Sequence, residues 1–79
     1  MPRFFFNVIS GKNVLADPEG SELPSLDQAI EEARKDARAL MSEAILQGRD
    51  ISEGRIIIRN KQHDLLKVVR FSDALDRKD

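Results

Sequence analysis

Apolar residues in this chain follow one rule near its two ends and another in its middle. Residues 3–9, RFFFNVI, and two later runs, RIIIRN at 55–60 and LLKVVRF at 65–71, are built largely from aromatic, aliphatic and β-branched side chains, the composition of strands. Between them, Leu26, Ala29, Ile30, Ala33, Ala37, Leu40, Met41 and Ala44 recur at steps of mostly three and four, which places them on one side of a helix. The pattern predicts strands, then a helix, then strands.

The residues between these runs agree with that order. SGKN, Ser10 to Asn13, supplies turn residues, so Val14 to Ala16 is expected to return as a short second strand. DPEG, Asp17 to Gly20, suits a type I turn with Pro18 second and Gly20 fourth. Pro24 bars an earlier helix start, and SLDQ, Ser25 to Gln28, can form a capping box in which Ser25 accepts from the Gln28 N–H. Gly48 supplies the stop, so the helix is expected to run for about 22 residues, roughly 33 Å.

On the outer side of that helix lie Gln28, Glu31, Glu32, Lys35 and Ser42, with Glu31 and Lys35 spaced to pair. Leu46 falls off the apolar stripe, so Ile51 or another residue of the loop Arg49 to Gly54 is expected to fold onto it. KQHD, Lys61 to Asp64, joins the last two runs as a hairpin, and the polar tail Asp76 to Asp79 is expected to fray. The expected fold is a single α+β domain over residues 1–75, in the order ββαββ. Its four-stranded antiparallel sheet carries one long helix on one face.

Strand alternation then sorts the side chains. Phe4, Phe6 and Val8 are expected to meet the helix together with Ile56 and Ile58. In the last strand, Phe71 places Leu65, Lys67 and Val69 on the same side. The opposite face would hold Phe5, Ile9, Ile57, Leu66 and Val68, edged by Arg3, Arg55, Arg59 and Arg70. A single helix leaves that face bare, and an apolar patch of this size marks an interface. A symmetric homodimer is favoured over cover by the loop Arg49–Gly54 or the segment Gly20–Pro24.

Composition narrows the function more by exclusion. Seventy-nine residues, 41% hydrophobic and 34% charged, suffice for one core. No cysteine is present, so no disulfide or thiolate can form. One Arg followed by an apolar run interrupted at Asn7 is too short for a signal peptide, and a cytoplasmic protein with no membrane segment is expected. A net charge of −1 gives no bulk attraction to nucleic acid. Only Phe5 is an outward aromatic where base-stacking sheets present two or three, so single-stranded nucleic-acid binding ranks below self-association.

Chemistry is equally sparse. Asp17, Glu19 and Glu22 lack the oxygen spacing of a calcium loop, and the lone His63 beside Asp64 has neither a nucleophile nor further metal ligands around it. The four glycines are isolated and make no phosphate loop. No catalytic, cofactor or metal residue is expected, and the domain is read as a non-enzymatic interaction module whose protein partner, beyond its own copy, is open.

Several short motifs occur together: Arg-aromatic-aromatic-Phe-Asn-Val at Arg3 to Val8, D-x-E-G at Asp17 to Gly20, E-L-P-x-L at Glu22 to Leu26, and F-S-D-A-L at Phe71 to Leu75. In this combination, around a long Ala-rich helix, the chain resembles a family of short bacterial proteins known only as a domain of unknown function. The resemblance spans nearly the whole chain and implies a bacterial, cytosolic protein; it transfers no catalytic residue. A weaker similarity is to HicB-type antitoxins, which also place strands before an acidic, Ala-rich helix ending near Gly-x-x-Ile, here Gly48 to Ile51. Their Phe-Pro-(Asp/Glu)-Leu-Pro-Gly-Cys segment is reduced here to Glu22-Leu23-Pro24. Toxin neutralisation is the alternative function that this similarity implies.

Overall fold

A computed structural model describes residues 1–75, and the chain is α+β. Strand β1 spans Arg3–Ser10, β2 Asn13–Leu15 and β3 Ser21–Glu22; helix α1 spans Leu26–Leu46; strands β4 and β5 span Arg55–Arg59 and Leu65–Arg70. A 3₁₀ turn, Phe71–Ala74, follows β5. The sheet runs β2-β1-β4-β5 with every neighbour antiparallel, and β3 pairs with the start of β1 on the side that β2 occupies further along. The expected fraying of residues 76–79 lies outside the described residues.

The helix forms where its signals place it. Ser25 Oγ accepts from the Gln28 N–H at 3.2 Å. At the other end the Gly48 N–H donates to the Ile45 carbonyl at 2.9 Å and the Arg49 N–H to the Ala44 carbonyl at 2.8 Å, a Schellman closure that needs the left-handed φ of +78° at Gly48. Ala29, Ala33, Ala37, Met41 and Ala44 are its buried residues. This near-continuous line of small side chains lets the helix backbone lie close on the isoleucines beneath it. On the solvent side Glu31 meets Arg34 at 3.5 Å and Glu32 meets Lys35 at 3.9 Å, so each glutamate pairs three residues on and the expected Glu31–Lys35 pair is replaced.

The core lies between α1 and one face of the sheet. Phe4, Ile56, Ile58 and Val69 are buried there, with Phe6 and Val8 half-buried around them. Phe71 is fully buried but does not extend the last strand as expected. It opens the 3₁₀ turn, its N–H donating to the Gly54 carbonyl at 2.9 Å, while Arg38 reaches from the helix to the Ala74 carbonyl at 2.8 Å. Gly54 is buried against the Phe71 ring, and a Cβ there would come within 2.9 Å of it.

Further departures are local. The return strand begins at Asn13, one residue early, and β3 is additional. Leu46 remains 85% exposed, because Ile51 packs on the core instead of folding onto it. Finally, β5 slips register against β4 between Ile58 and Arg59, pairing Ile58 with Lys67 but Arg59 with Leu65. Leu66 is the extra residue of this bulge, and it packs against the core. Leu65 takes the outward place opposite Arg59 and is 54% exposed, which reverses the expected assignment of both leucines.

Candidate functional site

The face of the sheet turned away from α1 is assembled by strand register, since directly opposed residues share a face. Its central row is Asn7, Ile57 and Val68. One step along, Phe5, Arg59 and Leu65 stand side by side; in the other direction the row is Val14, Ile9, Arg55 and Arg70. The structure thus brings Phe5, Ile9, Ile57 and Val68 to one surface with Arg55, Arg59 and Arg70, as the alternation predicts, and excludes Leu66. It adds Leu65 and Val14, the latter 68% exposed. Val14 was legible from the hairpin; Leu65 was hidden by the bulge.

No other element of the described residues is paired over this face, and its cover is partial. The left-handed Gly20 sits against Phe5, where a Cβ would lie 2.9 Å from the ring and the same distance from the Phe4 carbonyl. Gly20, the last residue of the DPEG turn, therefore shields part of Phe5. The loop Arg49–Gly54 turns the other way, sending Ile51 toward the helix-side core. Phe5, Ile9 and Ile57 remain half-buried and Val68 is 37% exposed.

The arginines are placed by their partners. Arg3 bonds Glu22 at 3.0 Å and the Glu19 carbonyl at 2.8 Å, Arg70 bonds Asp73 at 3.0 Å, and Arg59 donates to the His63 carbonyl at 3.0 Å. Arg55 lies directly opposite Arg70, so like charges meet at one end of the face. The surface is an apolar band with guanidinium groups at both ends.

The two edges of the sheet are built differently from this face. On β5, Lys67 pairs with the buried Ile58 and so belongs to the helix side, yet it is exposed at the rim, and the bulge bends the strand beside it. An inward-facing charge and a bulge are two devices that keep an edge strand from pairing with another chain, and the three-residue length of β2 is a third.

Several of the titratable residues brace turns. Between β2 and β3 the edge of β1 has a gap, and Asp17 fills it: one carboxylate oxygen accepts from the Phe6 N–H at 3.2 Å and the other from the Gly20 N–H at 3.0 Å, while Asn7 accepts from the Asp17 N–H at 3.1 Å. The acidic turn is a brace. In the β4–β5 hairpin Asn60 accepts from the Gln62 and Asp64 N–H groups and donates to the Asp64 carboxylate, which holds His63 at a φ of +68°. Asp50 accepts from the Ser52 N–H, and that bond draws its carboxyl below the ordinary range.

A family model described as Domain of unknown function (DUF6894) matches residues 3–72. The chain belongs to this family. The match runs from the first residue of β1 to within the 3₁₀ turn, so it takes in α1 and every strand of the sheet, bare face included. No curated protein and no solved structure matches significantly. Among the described residues no helix is long and apolar enough to cross a membrane.

Proposed function

We propose that this family domain is an interaction module of the bacterial cytoplasm that self-associates through the uncovered face of its sheet, with Ile57 at the centre of contact. The observation that carries the reading is the contrast between face and edges. Both edges hold features that discourage pairing, whereas the face leaves Ile9, Ile57 and Val68 without a covering layer and Phe5 only partly shielded. A symmetric pair places the same apolar band against itself. The domain acts by binding and performs no chemistry of its own, since Asp17, Asp64 and His63 serve turns.

Arg55 and Arg59 flank Ile57 on the central strand, so each copy presents guanidinium groups to the other. Salt screens that repulsion. The testing experiment is sedimentation equilibrium at about 50 mM and about 500 mM salt, where self-association should tighten severalfold at the higher value. Single-stranded nucleic acid on the same face would behave oppositely, releasing as salt rises. An antitoxin role would replace the homodimer by a stoichiometric complex with a small basic protein.

A further inference from the structure

The helix covers its own side of the sheet unevenly. It packs on β4, β5 and the 3₁₀ turn, and between α1 and the β1–β2 hairpin a groove of about 460 Å³ stays open. Phe6, Val8, Leu15, Ala39 and Leu40 wall it, and Leu15 is 65% exposed there. A neighbouring hollow shares Val8, Leu15 and Leu40 and continues to Arg49. The volume lies in the range of small-ligand sites.

One end of this apolar groove is negatively charged. Asp17 and Asp36 both line it, and the oxygens of Asp17 are occupied by the Phe6 and Gly20 N–H groups. Asp36 is exposed as a residue and lines the groove beside Ala39 and Leu40; desolvation first, then the charges of Glu32 and Asp17, hold its carboxyl above the ordinary carboxylate value. Across the shared Leu40, Arg49 puts a positive charge at the far end. The complement of such a groove is an apolar body with a cation at one end only.

We propose that the groove between α1 and the β1–β2 hairpin binds a small organic amine, its apolar body against Phe6, Val8 and Leu15 and its ammonium group at Asp36. Arg49 repels the cation and so fixes the orientation of the ligand. This site is on the helix side of the sheet, away from the face assigned to self-association, and either can fail without the other.

The test is titration of the isotopically labelled full chain with phenethylamine, followed by amide correlation spectra, beside the neutral 2-phenylethanol and the anionic 3-phenylpropionate. The amine should shift Leu15 to Asp17 and Asp36 to Leu40 and bind about tenfold more tightly than the alcohol, the worth of one charge-assisted contact. Asp36→Asn should bring the amine down to the affinity of the alcohol, Ala39→Leu should block both by filling the groove, and Ile57→Glu should leave binding unchanged. Equal binding of amine and alcohol, shifts centred elsewhere, or an amine preference that survives Asp36→Asn would overturn the proposal. Binding of an oligolysine peptide but not of the amine would also overturn it, and would give the groove to a protein partner.

Discussion

Ile56, Ile57 and Ile58 are consecutive, chemically identical and on the same central strand, yet Ile56 and Ile58 are fully buried while Ile57 is only half-buried. The pair faces a helix whose contact line is mostly alanine; the single residue faces no layer at all. A strand of this composition asks for cover on both sides, and the domain supplies it on one. The comparison separates two surfaces: the helix side holds the fold together, and the bare side is the one to which the proposed function assigns recognition.

The largest effects should fall on the helix side. Ile56→Ala should cost about 3 kcal/mol of folding stability, by lost burial and the cavity left behind, whereas Ile57→Ala should cost under about 1 kcal/mol in the monomer. Chemical denaturation of the two variants measures the contrast, and equal losses would break it. Next comes the brace at the gap in β1: Asp17→Ala leaves the Phe6 and Gly20 N–H groups without their acceptor and should cost about 2 kcal/mol. Smaller again is the helix cap, where Ser25→Ala should cost about 1 kcal/mol.

The smallest effect has the opposite sign. Because the folded carboxyl of Asp36 titrates above its ordinary value of 3.8, its charged form is disfavoured in the native state. The contribution of this one group to folding stability is therefore fully present below that value and fades as pH rises through the raised one. Asp36→Asn removes this loss, so it should raise the melting temperature slightly at neutral pH and change nothing in acid. Melting curves across that interval check both the sign and its disappearance.

Those same residues show which parts of the fold could be read in advance. The helix was legible because its information is local: the Ser25 cap, the alanine spacing and the Gly48 stop all lie within one segment. So was the split of Phe4, Phe6, Ile56 and Ile58 from Phe5 and Ile57, since strand alternation has a fixed period. The bulge at Leu66 was not, because it arises from the fit of β5 against β4 and the adjacent leucines of LLKVV do not show which of them faces the helix. Nor was the turn at Phe71, whose strand-like composition is overridden by the space Gly54 leaves for its ring. The candidate face was thus legible in its central residues and wrong at Leu66, where tertiary contact decides register.

The most direct test of the central claim is the molar mass in solution, measured by light scattering over about a hundredfold range of concentration, for the native chain and for Ile57→Glu. A charge at Ile57 faces water in the monomer and would be buried in a face-to-face pair. The native chain should form a dimer, and the variant should stay monomeric with an unchanged circular dichroism spectrum. A native chain that remains monomeric throughout, or a variant that dimerises equally well, would contradict the claim that the bare face is where the domain meets its own copy.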